Sequence, residues 1–418
     1  MGAIIEIDLT GMAYGGAAVG RHEGRAVFVT GGISGERVRA RIRQDKGRFA
    51  LAEVVEVLTH STARVEPRCG HVGQCGGCQW QHIDYGAQLT FKQQIVADQL
   101  ARIGGLKDAL VLPTLPSDPP WSYRSHVTFH PTREGKLGFV GVDDRQVIAI
   151  RDCPISRPEL LVLAEDFTEA SPPSPLSVRD APPRHEKNVV GIASRERGNR
   201  SDDRIRVQVG SDAGEWLVAV SAREDAPARV VAGAEAVHYH VKGKSFRVAG
   251  GSFFQVNLAQ AAVLVEQVMA WLGSVAGGAA LDLYSGVGLF SAFLAERFES
   301  VVGVESFAPA VEDARFNLAG QANTAFEVGS VETVLGGLTG PFSAAVVDPP
   351  RAGMAPAALD ALIAQQPTRI AYVSCDPSTL ARDAKRLVGA GYTLAQVQPV
   401  DMFPQTYHIE AVAWFGKD

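Results

Sequence analysis

Phe342-Ser343-Ala344-Ala345-Val346-Val347-Asp348-Pro349-Pro350-Arg351-Ala352-Gly353 is followed, after a helical run, by Arg369-Ile370-Ala371-Tyr372-Val373-Ser374-Cys375-Asp376-Pro377. Each segment reads as a short apolar strand ending in a polar tip. In an open α/β sheet, ligands bind beyond the carboxyl ends of the strands. The pattern therefore delivers a carboxylate, Asp348, and a thiol, Cys375, side by side where chemistry is expected.

Strands and helices alternate outward from this stretch over 246–418, the pattern of a doubly wound α/β domain. Ser252-Phe253-Phe254-Gln255-Val256-Asn257 precedes an amphipathic helix from Ala261 to Leu272. The strand Ala280-Leu281-Asp282-Leu283 then runs into Tyr284-Ser285-Gly286-Val287-Gly288, with a helix expected from about Leu289. Glycine permits a tight turn and close approach of backbone to ligand. Glu305 ends the next strand at the roughly 20-residue distance that suits a ribose-binding acid. The missing third glycine and the run D-L-Y-S-G-V-G favour S-adenosylmethionine (SAM) over a dinucleotide.

Two residues carry candidate chemistry. Cys375 stands just before a helix for which Asp376 is a plausible N-cap and Pro377 a fitting first residue. A helix N-terminus lowers a thiol's pKa from about 8.5, so an activated thiol is expected. Glu410 lies in the late strand His408-Ile409-Glu410-Ala411-Val412-Ala413-Trp414-Phe415. A carboxylate inside such an apolar run is awkward as a core residue, which favours a functional role.

Upstream, residues 1–58 read as a small all-β unit, with strands at 4–7, 26–29, 38–43 and 53–57 separated by Gly-rich turns. A five-strand barrel of oligonucleotide-binding type fits this length. Val38-Arg39-Ala40-Arg41-Ile42-Arg43 puts arginine on one face, either as a grip for phosphate or as a solvated strand edge. Residues 59–245 form a central β-rich region. It holds Cys69, Cys75 and Cys78 in a Gly-rich turn and a fourth cysteine, Cys153, before a proline. This spacing suits an iron–sulfur cluster, and four thiolates also suit zinc. Tyr123–Phe129 and Lys136–Phe139 read as a hairpin, with Arg124 and His126 at exposed positions. Residues 171–187, rich in proline and serine, read as a loop.

Composition bounds the class. With 418 residues, 46% hydrophobic and 21% charged, the chain has the profile of two or three globular domains. No apolar run approaches the roughly 20 residues of a membrane span, and no signal peptide is visible. An odd five cysteines argue against a secreted disulfide framework. A cytoplasmic protein with no membrane and no obligate protein partner is the expectation. The net charge of −6 does not itself mark a nucleic-acid binder.

Taken together, the motifs resemble those of the RNA uracil-C5-methyltransferase family, most closely its iron–sulfur-containing 23S rRNA branch. The likeness rests on Gly15-Gly16-Ala17-Ala18-Val19-Gly20-Arg21 (similar to a TRAM domain), C-x5-C-x2-C…C, F-F-Q-V-N, D-L-Y-S-G-V-G, D-P-P-R-A-G, S-C-D-P and Asp401-Met402-Phe403-Pro404-Gln405-Thr406-Tyr407-His408-Ile409-Glu410. It implies a Rossmann-like SAM-dependent methyltransferase domain of α/β class, an N-terminal TRAM/OB-like barrel that binds RNA, and a central iron–sulfur domain. It implies Cys375 as nucleophile and Glu410 as base, with Gln255, Tyr284, Gly286, Glu305 and Asp348 at SAM or the target nucleotide. Arg351 is implied to help hold RNA. Cys69, Cys75, Cys78 and Cys153 are implied to hold a [4Fe-4S] cluster, with zinc as the alternative. Gly329-Ser330-Val331-Glu332 departs from the family, which often has an acid after the glycine, so the adenine contact is left unassigned. Related enzymes of similar architecture act on tRNA.

Rival readings explain less. A cytosine-C5 methyltransferase typically carries another cysteine near D-P-P, and none is present. A non-catalytic, metal-stabilised RNA-binding protein gives no reason for Cys375 and Glu410. An iron–sulfur redox protein lacks any flavin or second-cluster motif.

Overall fold

Alternating apolar and charged residues close the N-terminal segment into a barrel of five strands, in the order β1-β2-β3-β5-β4. These are β1 (Ile4–Met12), β2 (Ala18–His22), β3 (Arg25–Thr30), β4 (Arg37–Asp45) and β5 (Phe49–Thr59). Ile7, Leu9, Val27, Val29, Val38 and Ala40 fill the interior. The structure, a computed structural model, describes residues 2–144, 146–166, 204–222, 228–275 and 277–417. The expected loop at 171–187 lies outside them.

The arginine stripe of β4 is charge-balanced. Arg39 bonds Glu6 and Glu56 at 3.2 and 2.8 Å, Arg41 and Arg43 reach Glu53 at 3.3 and 3.2 Å, and Arg37 reaches Glu6 at 3.3 Å. Cross-strand pairing with acids on β1 and β5 thus favours the solvated-edge reading of this face over a phosphate grip.

Helix α1 (Tyr85–Gln99) starts at Asp84, whose carboxylate accepts from Gly86 N and Ala87 N. It runs through a π turn into Gly105, which takes the left-handed conformation (φ 71°). The central sheet has the order β11-β10-β9-β6-β7-β8. Its strands are β6 (His126–Pro131), β7 (Leu137–Val140), β8 (Val147–Ala149), β9 (Arg204–Val209), β10 (Trp216–Ser221) and β11 (Arg229–Gly233). Val127, Phe129, Ile205 and Val207 pack on Leu160 and Leu163 of α2 (Pro158–Asp166). Arg124 and His126 are half-buried, not exposed as the alternation suggested. Just before β6, Ser125 N and Oγ both donate to Val256 O, which lays the F-F-Q-V-N segment alongside the chain there.

A hairpin of β12 (Ala236–Val241) and β13 (Lys244–Ala249) leads into α3 (Leu258–Leu272), capped by Asn257. Val237, Tyr239, Phe246 and Val248 share one core with Leu264 and Val265. The alternating elements then follow. They are β14 (Ala279–Leu283), α4 (Ser291–Leu294), β15 (Ser300–Glu305), α5 (Ala308–Asn317), β16 (Thr324–Val328), α6 (Val331–Gly337), β17 (Phe342–Val347), α7 (Pro356–Gln365), β18 (Arg369–Ser374), α8 (Pro377–Gly389), β19 (Thr393–Val400) and β20 (Glu410–Gly416). The sheet order is β16-β15-β14-β17-β18-β20-β19, with β20 antiparallel to both neighbours. Ala344, Ala345, Val346 and Val347 of β17 are fully buried, as a central strand covered on both faces requires. The order reverses between β14 and β17, so their carboxyl ends open the crevice where ligands bind. The helix expected from Leu289 is only the single turn α4.

Candidate active site

Four strand ends supply the crevice. After β14, Tyr284 adopts the left-handed backbone (φ 64°), a conformation costly for a tyrosine and typical of functional turns. Tyr284 N and Ser285 N both donate to Val304 O, which holds the turn against β15. Gly286 N donates to Glu305 Oε2 at 3.1 Å, while Glu305 Oε1 accepts from Phe307 N at 2.7 Å. Glu305 and Gly286 are thus brought together, with the acid fixed by the backbone. Below them, buried Asp282 accepts from Ser291 N and Oγ at 2.8 and 2.6 Å. Burial pushes its carboxyl up to about 7.

After β17, Asp348 N donates to Leu283 O, and Asp348 Oδ2 lies 3.5 Å from Gln255 Nε2. The loop beyond it is clamped to α8. Arg382 Nη2 donates to Ala352 O and Met354 O, and Asp383 Oδ2 accepts from Met354 N and Tyr372 OH. A cavity of about 460 Å³ opens between these loops, lined by Tyr284, Ser306, Ser330, Glu332, Pro350 and Arg382. This volume falls in the range of small-molecule sites.

After β18 comes Cys375, half-buried. The β18–β20 register pairs Ser374 with Ala411, so one step further along the ladder sets Cys375 opposite Glu410. Glu410 is only 3% exposed. Burial first, then the charge of Asp348, drives its carboxyl well above the usual range, with exposed Arg351 opposing. Asp348 is pushed up to about 7 by burial and by Asp282. The thiol of Cys375 goes up to about 12, through burial and then the charges of Glu410 and Asp348. The activated thiol expected from the helix N-terminus is therefore corrected. Asp376 does cap α8, accepting from Ser378 N and Thr379 N, but burial first, and then the charges of Glu410 and Asp348, hold the thiol up.

The segment leading to Glu410 is held from α1. Gln88 Oε1 accepts from Gln405 N and Gln88 Nε2 donates to Gln405 Oε1, both at 3.0 Å. Lys92 Nζ meets Asp401 Oδ1 at 2.5 Å and Phe403 O at 3.1 Å. Tyr123 OH donates to Pro404 O.

Residues 339–418 match the family described as tRNA (Uracil-5-)-methyltransferase, and residues 1–55 match the TRAM domain. An uncharacterized RNA methyltransferase of Thermosynechococcus vestitus is 34% identical over 99% of this chain and 98% of its own. One from Streptomyces avermitilis is also 34% identical, over 99% and 98%. The chain belongs to the RNA uracil-5-methyltransferase family. The solved Pyrococcus abyssi tRNA (uracil-54, C5)-methyltransferase, in complex with S-adenosyl-L-homocysteine, is 26% identical with a TM-score of 0.70, covering 98% of this chain and 99% of that one. This RNA uracil-5-methyltransferase shares that protein's fold, with an α/β methyltransferase domain behind its TRAM barrel. Among its described residues no helix is long and apolar enough to cross a membrane.

Cys69, Cys75, Cys78 and Cys153 are free thiols in one neighbourhood, since the charge of Cys153 reaches each of the other three. Burial, and then mutual repulsion against opposing hydrogen bonds, pushes Cys78 up to about 11. Their sulfurs accept hydrogen bonds. His71 N donates to Cys69 and Gly77 N to Cys75, both at 3.4 Å, and Ser156 Oγ to Cys153 at 3.2 Å. Among the described residues, no group of three or more His, Cys, Asp or Glu converges to hold a metal ion. The iron–sulfur site expected from the sequence is present as a thiol neighbourhood and not as a converged ligand set. Its donors fit thiolate ligation chemically.

Arg382 and Asp383 hold the cavity loop without any motif to mark them. Phe253, 63% exposed beside Gln255, was legible only as part of F-F-Q-V-N. The cavity also reaches Ser330 and Glu332, the segment left unassigned in the sequence.

Proposed function

We propose that this protein methylates C5 of a uracil in 23S rRNA, with Cys375 as nucleophile and Glu410 as proton acceptor. The observation that carries the reading is the placement of Cys375 opposite Glu410 on adjacent strand ends, with Asp348 and Gln255 beside them.

Uracil C5 is a poor nucleophile. Addition of the Cys375 thiolate to C6 forms a C–S bond and moves electron density to C5. SAM supplies an electrophilic methyl group on a cationic sulfur. Glu410 takes the C5 proton after methylation, the C6–S bond breaks, and the 5,6 double bond returns with the thiolate released. Ionised Glu410 is favoured by Arg351, whose field opposes burial. Asp348 and Gln255 face the target base, and exposed Phe253 offers a ring for stacking a flipped-out base. Tyr284, Gly286 and Glu305 hold the cofactor, Glu305 through ribose hydroxyls.

The four clustered thiols hold a [4Fe-4S] cluster in this reading, with zinc as the alternative. Either group is structural or faces RNA, because methyl transfer from SAM by this route is redox-neutral. Two observations favour tRNA as a second substrate reading. The matched family is described by tRNA, and the solved relative acts on tRNA uracil-54. The deciding experiment transfers labelled methyl from SAM to total RNA of a strain lacking this gene and maps the product. 5-Methyluridine in 23S rRNA supports the proposal, 5-methyluridine in tRNA moves the substrate, and unlabelled RNA overturns both.

A further inference from the structure

The TRAM barrel touches the nucleophile's loop directly. Tyr14, in the turn between β1 and β2, donates its hydroxyl to Asp376 Oδ2 at 2.6 Å. The other carboxylate oxygen of Asp376 accepts from Ser378 N at 2.9 Å, Thr379 N at 3.1 Å and Ser378 Oγ at 2.5 Å. One oxygen thus caps α8 and the other is tied to the barrel. The Tyr14 ring stands edge-on to Tyr407, with centroids 6.4 Å apart, near the segment that carries Glu410. Gly16 fits this close approach, because a Cβ there would come within 2.9 Å of the Tyr407 ring. Its carbonyl accepts from Trp80 Nε1 at 3.0 Å, which fixes the turn from the far side.

We infer that Tyr14 is a positioning residue for methyl transfer: the barrel sets the orientation and charge of Asp376, and through it the placement of Cys375. The inference rests on the reading of Cys375 as nucleophile. Burial and the Asp376 charge drive the Tyr14 phenol upward, so it remains a donor. Burial pulls Asp376 up, yet hydrogen bonds from Ser378 and Tyr14 outweigh it and keep the carboxyl below its ordinary range. The Tyr14 hydroxyl therefore draws negative charge away from a carboxylate whose field raises the neighbouring thiol. A barrel so joined to the nucleophile's helix cap is part of the catalytic geometry.

The test is Tyr14→Phe in the full chain, which keeps the ring and removes the hydroxyl. Single-turnover methyl transfer at saturating RNA and SAM should fall about tenfold, the scale of losing one hydrogen bond to a charged group. Dissociation constants for RNA and SAM should stay unchanged, and alkylation of Cys375, followed on its own peptide, should slow at each pH. In an Asp376→Asn background, Tyr14→Phe should add little, since the two act as one unit. An unchanged single-turnover rate overturns the inference, whether or not thermal stability falls. So does a loss confined to RNA affinity, or a full additional loss in the Asp376→Asn background. Cys375→Ser in the same assay isolates the underlying reading: normal turnover there removes the nucleophile, whatever Tyr14→Phe does.

Discussion

Lys92 and Asp401 form a fully shielded ion pair, Nζ to Oδ1 at 2.5 Å with both side chains at 0% exposure. It joins α1 to the loop that delivers Glu410, and Phe403 O takes a second Lys92 proton. Burial of such a pair contributes little net stability against an apolar replacement, but breaking it strands a charge.

Lys92→Met is therefore expected to destabilise the protein by about 3–5 kcal/mol, because Asp401 is left buried without its cation. Lys92→Met with Asp401→Leu should recover much of that loss. Urea unfolding of the single and double variants checks this. Equal losses in both would assign the effect to packing instead.

Asp348 carries a pH signature. Its carboxyl ionises near 3.8 when unperturbed and near 7 in the fold, raised by burial and by Asp282. The folded state keeps a proton that the unfolded chain releases. The stabilisation is complete below about 3.8 and lost as pH rises through about 7. Asp348→Asn cannot ionise, so its melting temperature should gain on the parent's between these limits. The gain should correspond to an unfolding free energy on the order of a few kcal/mol, with methyl transfer impaired. Thermal melts across pH give the answer, and a constant gap would contradict it.

The raised Cys375 thiol predicts slow alkylation of the RNA-free enzyme at neutral pH, with a rate still climbing into the alkaline range toward about 12. In the alkaline range, where these raised carboxyls ionise, Glu410→Gln or Asp348→Asn should accelerate alkylation, because each removes a nearby charge. Peptide-resolved mass spectrometry separates Cys375 from the other four thiols. A plateau near neutrality would mean that the helix end governs the thiol after all.

For the Cys69, Cys75, Cys78 and Cys153 set, protein purified without oxygen is expected to be brown, with bound iron and sulfide and broad visible absorption. Colourless protein carrying stoichiometric zinc would replace the cluster with a structural ion.

Local signals made the catalytic half readable. The strands before Asp348 and Cys375 are continuous apolar runs, and Asp376-Pro377 announces α8. The same signals misjudged the thiol, because its pKa depends first on burial and then on Glu410 and Asp348, which converge only through sheet order. The arginine stripe likewise needed its partners Glu6, Glu53 and Glu56, supplied by neighbouring strands. Gln88, Lys92 and Tyr14 were invisible as site-builders: an α1 side chain or a barrel turn has no sequence mark for contacts made with residues some 300 positions away.

The central claim is that Cys375 adds to uracil and Glu410 removes the proton that allows its release. The most direct test incubates Glu410→Gln with RNA and SAM and resolves the products on a denaturing gel. The account predicts a covalent protein–RNA species carrying the transferred methyl, absent when Cys375→Ala is added. Normal turnover by Glu410→Gln, or an adduct that survives Cys375→Ala, would contradict it.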